Sequence, residues 1–545
     1  MAAGMSAVAM ICCVASAQMG DMPTMHHHHD EGEKLGSVSF PVSCDATSNA
    51  PMERGIALLH SFGYEEASEQ FEELTKSDPK CAMVYWGVAM SQFHELWGRP
   101  DKAAMAKGWA AIQQAQKLNA ATDRERKYIA ALSAFYDPAK PDYQARVDAY
   151  TAAMLALHEA YPDDVETSAF YALSLLADVA PDDTSLVKER KALAVLVPLF
   201  EKNPNHPGLA HYIIHTCDTP ALAPEGLEAA QKYAQIASSS PHALHMPGHI
   251  FARLGMWQED IDSNLASVAA SKKAEAAGMP GAHHQYHADE FLLYAYLQIG
   301  EDGKAKQLVD GIGPLADRLD AMKGMDDMKD MSGYHRNEFP AFYDMEMRDW
   351  QAASQLKIYP TTPTIWSMDT VWARGIANGR LHRAKEAGAD LTLLNEQIAA
   401  YQKSRGGAPE PGFMVYRDEV LAWQQYAEGK NDAAIATMTK AADQQDKLGQ
   451  GEVDIPTREM LGDMLMELKR PKDALVEYKV ALKLSPNRLN GLYGAGRAAE
   501  ALGMKKEAGE YYAAMLKNTA DGANSSRASL AHAKEFTAGK TAVGQ

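Results

Sequence analysis

The chain has 545 residues, too many for one ordinary hydrophobic core, so several domains or a repeat array are expected. Apolar residues make up 46% and charged residues 23%, which excludes a disordered chain. Net charge is −19 with no clustered basic stripe, which speaks against nucleic acid and anionic membrane surfaces as partners. Ala, Leu, Met, Glu, Gln and Lys are abundant and lose little rotamer freedom in a helix, so helix is favoured over strand.

At the N-terminus, "MAAGMSAVAMICCVASAQMGD" is uncharged up to Asp21, and small residues precede a cleavage point after Ala17. Residues 1–17 read as the apolar region and cleavage site of a secretory signal peptide, without the usual basic start, and predict a periplasmic or secreted protein. No later run approaches the roughly 20 apolar residues of a membrane span, so no transmembrane segment is expected. Residues 18–50 form a polar leader in which Met19, Met22 and Met25 precede four histidines at 26–29. Thioether and imidazole together suit copper, and histidine-rich tracts bind metals generally. Within the leader, "SVSFPVSC" at 37–44 is short, extended and interrupted by proline. Cys44 and Cys81 either pair in an oxidising compartment or remain buried thiols.

From residue 51 onward one spacing recurs. Gly55, Ala67, Phe71 and Pro79 open it, and "CAMVYWGVAM" at 81–90 reads as the first helix of the next unit. Residues 207–236 and 241–269 read as helix pairs, followed by 286–309 and 334–356, with extended loops at 271–285 and 309–333. This N-terminal array, 51–356, ends at a linker and irregular helical region over 357–412, marked by Pro/Gly-rich breaks. A C-terminal array covers 413–520, and 521–545 reads as a flexible tail. The spacing is sharpest in Leu461, Gly462, Ala474, Tyr478, Ala481 and Pro486, and returns 34 residues later in Gly496, Ala508 and Tyr512. Two antiparallel helices meet closely where Gly and Ala sit, the aromatic fills the gap, and proline stops the second helix.

On these residues the chain resembles an exported, bacterial-type tetratricopeptide-repeat protein over nearly all of 50–520. The resemblance implies an all-α superhelical solenoid of antiparallel helix pairs, with a concave groove lined by the first helix of each unit. It implies a binding or scaffold function toward a protein or peptide partner, and no particular chemistry.

Nine of the 19 histidines lie between 206 and 287. "PGLAHYIIH" at 207–215 and "PHALHMPGH" at 241–249 each hold two histidines four residues apart, hence on one helical face. The second copy follows the first by 34 residues, so His211 and His245 share one repeat slot and His215 and His249 another. The resemblance turns these slots toward the groove, together with a slot that holds His242, His287 and His335 and one that holds Glu290 and Glu338. Trp86 would line its apolar end. Three readings stand side by side. His211, His215, His245 and His249 bind a divalent ion such as zinc or copper, with His242, His287 or Glu290 as further ligands or ring-orienting partners. Or a metal-free groove captures an extended peptide or another anionic partner, more tightly as imidazoles gain protons below about pH 6.5. Or these histidines are buried hydrogen-bonders between helices. Cys217, two residues from His215, is a candidate soft ligand. No His-Glu-x-x-His, Gly-x-Ser-x-Gly, phosphate-cradling glycine loop or Cys-x-x-Cys occurs, so no catalytic residue is assigned. The alternative activity is a metal-dependent hydrolase with Glu290 or Asp218 as general base.

Overall fold

A computed structural model describes residues 32–541, apart from 97, 141, 181–182, 280, 322–331, 360–363, 406–409 and 521–522. The signal segment and the histidines at 26–29 lie outside the described residues. The recurrent spacing becomes helix pairs: Asn49–His60 with Tyr64–Ser77, Ala82–Met90 with Lys102–Leu118, Asp123–Tyr136 with Tyr143–Ala160, and Val165–Ala177 with Val187–Lys202. Pro207–Cys217 then pairs with Ala223–Ile236, two short helices Pro241–His245 and Pro247–Leu254 with Trp257–Ala276, and Ala282–Gln298 with Asp302–Ala321. The C-terminal pairs are Pro411–Ala427 with Asn431–Leu448, Thr457–Glu467 with Pro471–Leu484, and Leu489–Ala501 with Lys505–Asn518. Glycine permits the close crossings. A Cβ on Gly462 would sit 2.8 Å from the Tyr478 ring, and one on Gly55 2.5 Å from the Phe71 ring. No β-strand occurs among the described residues. The chain is an all-α superhelical solenoid of antiparallel helix pairs.

Three stretches differ from the expectation. Helices Trp257–Ala276, Ala282–Gln298 and Asp302–Ala321 consume most of the loops expected at 271–285 and 309–333. Within 357–412, helices Met368–Arg380 and Ala384–Arg405 form a regular pair, with Gly375 and Gly379 packed directly under Val420 and Trp423. In the tail, Ala528–Thr541 is helical, with Leu530 and Ala533 buried and the Phe536 ring 5.0 Å from Tyr512. Composition misleads at all three, because tertiary packing overrides weak local propensity.

The superhelix is wound tightly enough to cover its own concave face. One apolar core runs from Leu35 to Phe251 and a second from Ala252 to Ala533, and they meet at helix Pro247–Leu254. The extended segment 32–45 straps the first core: Phe40 is fully buried against Trp86, and Cys44 is disulfide-bonded to Cys81. The C-terminal pairs fold back onto the middle of the chain. Trp257 Nε1 donates to the Asn487 carbonyl at 3.0 Å, and Arg488, 1% exposed, pairs with Glu346 at 2.7 Å and Glu459 at 3.0 Å. Gly255 makes that docking possible. It ends helix Pro247–Leu254 at φ +65°, and a Cβ there would lie 2.3 Å from the Pro486 carbonyl oxygen.

Gly255→Ala is therefore expected to cost more than left-handed backbone strain alone. Gly429, at φ +75° with nothing within 4 Å of its would-be Cβ, supplies the control. Denaturant unfolding should show Gly429→Ala weaker by about 1–2 kcal/mol and Gly255→Ala by clearly more. Equal losses would mean that the Gly255–Pro486 contact is not tight.

Candidate metal centre

Two proline-initiated stretches build the centre. Pro207 stands at the first helical position, where its missing N–H costs nothing, and His206 caps the helix by accepting from the Leu209 amide at 3.2 Å. The helix then runs unbroken to Cys217 and carries His211 and His215. The second stretch starts the same way, with Pro241 behind a Ser240 cap. Pro247 then removes an amide from the ladder, so the expected single helix is two short ones joined at Met246, with His245 ending the first and His249 inside the second.

The four histidines of the repeated pairs do not surround one point. They fall into two triads, each completed by a histidine from the next first helix. His211, His215 and His242 bring one ligand nitrogen each within 4.8 Å of one another, and so do His245, His249 and His287. His242 and His287, expected as groove-lining or auxiliary residues, are thus the third members. The expected open groove is largely covered: His211 is 0% exposed, His245 2% and His249 8%, whereas the His287 side chain keeps 33% of its surface exposed.

In the second triad every Nδ1–H has an acceptor. His245 Nδ1 lies 2.6 Å from Asn264 Oδ1, and Asn264 spends its amide group on the Asp260 carboxylate and carbonyl. His249 Nδ1 lies 3.0 Å from Asp218 Oδ2 and 2.9 Å from Glu452 Oε1. His287 Nδ1 lies 2.7 Å from Glu290 Oε2. With Nδ1 donating, Nε2 is the nitrogen left on each ring to hold an ion, and His245 Nε2 and His249 Nε2 are 2.9 Å apart. Gly248 permits this, since a Cβ there would sit 2.7 Å from both Asn264 Nδ2 and Asp260 Oδ1. Arg253 holds the carboxylates behind His249, reaching Asp218 at 2.9 Å and Glu452 at 3.3 Å.

A third cluster, His60, Glu166 and His206, is of another kind. Both Glu166 oxygens accept from imidazole Nε2, at 2.6 and 3.0 Å, while the Nδ1 atoms of His60 and His206 meet Tyr212 OH and the Leu209 amide. Every ring nitrogen is consumed, so this is a buried hydrogen-bonded tie between helices. The Cys44, Asp78 and Cys81 group is closed by the disulfide. Cys217 is buried outside both triads, and burial pushes its thiol up to about 12.

The remaining sequence candidates are not members of the triads, although Glu338 shares the Tyr286 hydroxyl with Glu290. Trp86 packs in the N-terminal core against Phe40, Tyr128 and Phe170. His335 is buried over the Tyr286 ring at 3.4 Å, and Glu338 accepts from Tyr286 OH and, at 2.8 Å, from Tyr334 OH. Sequence reasoning missed Asn264 and Glu452. Asn264 carried no signal, whereas Glu452 lies in "DKLGQGEVDIP", a loop longer than the repeat needs.

Burial dominates the proton affinities. It pushes His211, His242 and His245 well below the usual imidazole value, and His215 and His287 down to about 3, with neighbouring histidines adding to the effect. These rings are neutral at pH 7, with lone pairs available. His249 is the exception: burial pulls it down, but Asp218 and Glu452 outweigh burial and hold it up to about 10.

No family model matches the chain, and no curated protein matches it. Among solved structures it is similar to a monomeric IFIT1 mutant with Gppp-AAAA, at TM-score 0.39 and 12% identity, covering 80% of this chain and 90% of that one. A second monomeric IFIT1 mutant, with m7Gppp-AAAA, gives TM-score 0.38 at the same identity and coverage. Likeness at this level bears on neither ligand nor partner.

His211 provides a pH test. Its folded value lies below its unfolded value near 6.5, so below that pH the unfolded chain binds one more proton and folding weakens as pH falls. Against the parent chain, His211→Gln should flatten the stability–pH slope between about pH 5 and 6.5 by up to about 1.4 kcal/mol per pH unit. An unchanged slope would mean that the ring protonates in the folded state.

Proposed function

We propose that this chain is a metal-binding repeat protein that holds a divalent transition ion, zinc or copper, on His245, His249 and His287. One observation carries the reading: three imidazoles each bring a ring nitrogen within 4.8 Å of the others, while each Nδ1 lies against Asn264, against Asp218 and Glu452, or against Glu290, which leaves Nε2 for an ion. Carboxylates and carbonyls behind ligand histidines fix the tautomer and raise ligand basicity, and they are a recurrent companion of histidine-bound metals. Three protein ligands also leave a coordination position for water or a group from outside. The solenoid serves as the scaffold.

The competing readings have less support. An extended peptide needs an open channel, and of the histidines expected to line it His242 and His335 are buried while only His287 keeps a partly exposed side chain. For a hydrolase, both candidate bases are engaged: Glu290 accepts from His287 and Tyr286, and Asp218 from His249 and Arg253. The Cys44–Cys81 disulfide supports an extracytoplasmic location, because disulfides persist in oxidising compartments.

Zinc binding to the full chain, with His26→Ser through His29→Ser silencing the leader, tests the proposal. At least one tightly held ion is expected. Asn264→Ala, which touches no ion, should weaken it about 10–100-fold, whereas His158→Ala, outside both triads, should leave it unchanged. No retained zinc, or an Asn264→Ala variant that binds like its parent, would remove the idea.

A further inference from the structure

The second triad has a neighbour built on the same plan. In both, two ligands stand four residues apart within one repeat unit, on helix Pro207–Cys217 in the first and across the two short helices joined at Met246 in the second, and the third comes from the first helix of the following unit. His211 and His215 take His242, as His245 and His249 take His287. The pairs are 34 residues apart, one repeat, so the array has written the same three-imidazole arrangement twice in succession. The unit that supplies His245 and His249 to one triad supplies His242 to the other.

Local chemistry in the first triad parallels the second. His211 Nδ1 lies 2.6 Å from the His60 carbonyl, at the end of helix Asn49–His60, so Nδ1 carries the proton and Nε2 the lone pair. The ring is held between Phe62, at 4.3 Å, and Tyr233, at 5.1 Å. His215 stacks on the other part of Phe62 at 5.3 Å, and its Nε2 is buried with no hydrogen-bond partner, an expensive state for a polar atom that an ion would relieve. His242 Nε2 stands 3.0 Å from His211 Nε2. In a chain without an ion, one proton shared between two such nitrogens explains the short separation. A tetrahedral ion with metal–nitrogen bonds of about 2.0–2.1 Å spaces its ligands about 3.3 Å apart, so only a small opening is required.

The triads are also close to each other. The His215 and His249 rings are 6.5 Å apart between centroids, and the His242 and His245 rings 6.4 Å. Two ions on these sets would stand close together among mostly buried rings and feel each other strongly. Their anionic surroundings differ. Asp218 and Glu452 stand directly behind the second triad, beside a Glu290 carboxyl that burial pushes up to about 8, whereas the first has a backbone carbonyl behind His211.

We infer that the two triads form one binuclear centre, an ion on His211, His215 and His242 beside an ion on His245, His249 and His287. The inference rests on the metal reading of the second triad. The carboxylates make the second triad fill first, and an oxygen ligand from solvent, such as hydroxide, between the ions offsets their repulsion.

Copper(II) is the probe, added to the full chain with His26→Ser through His29→Ser. Equilibrium dialysis should give two bound ions per chain. His242→Gln and His287→Gln should each reduce the count to one, and the double variant to none. Electron paramagnetic resonance of the two-ion form should show coupling, either a half-field transition or fewer spins than bound ions, absent from both single variants. The ion retained by each single variant certifies its fold. One ion in the parent, kept by His242→Gln and lost by His287→Gln, would overturn the binuclear inference and leave the single site standing. One ion lost with either substitution would overturn it as a single shared site. Two ions with uncoupled spectra would overturn the common centre. A count that neither substitution lowers would overturn both readings.

Discussion

An imidazole presents a lone pair through one nitrogen only when the proton sits on the other, and the partner of that second nitrogen decides which is which. In this chain the partners are provided with unusual completeness. Asn264, Asp218, Glu452 and Glu290 take the Nδ1 protons of the second triad, and the His60 carbonyl takes that of His211. Those partners come from five different places in the chain. The chemical character of the centre therefore depends on the superhelix bringing distant segments into one register. The contrast with His60, Glu166 and His206 makes the point. That cluster, two histidines and a glutamate, is buried more completely, but its nitrogens are all spent on protein groups.

Closure of the solenoid supplies that register. Glu452 reaches His249 across more than 200 residues of chain, and the loop holding it is clamped where Arg253 donates to the Gln450 carbonyl. The same seam carries Trp257 to Asn487, Arg488 to Tyr294 and Glu346, and Leu489 to Gln298. Helix Pro247–Leu254 therefore lies at the junction of two apolar cores and bears His249 at the same time. Burial there has two consequences. It keeps most of the rings neutral, and it lets buried carboxylates act at short range with little screening.

Much of the architecture was legible in the chain. Gly462 with Tyr478 and Gly496 with Tyr512, one repeat apart, stand for a helix crossing that only glycine allows, and such a signal survives translation into structure. The i,i+4 histidine pairs were legible for a similar reason, because helical geometry is local. What was not legible is how the pairs are partitioned. Sequence spacing puts all four histidines on one side, but the twist between units decides that His242 joins the first pair and His287 the second. Nor could spacing reveal Asn264, an ordinary residue until a missing Cβ at Gly248 lets its amide approach. The groove follows the same rule. Its lining is set within single units, whereas its covering comes from the C-terminal pairs folding back.

The central claim concerns three nitrogens, and one measurement reads them directly. Anomalous diffraction from crystals of the zinc-loaded chain, collected on both sides of the zinc edge, locates the ion without reference to activity. The account predicts a peak about 2.0–2.1 Å from Nε2 of His245, His249 and His287, with Asn264 and Glu290 still on the Nδ1 sides. Zinc bound through Nδ1, or a peak confined to the surface with these three rings unliganded, would contradict it.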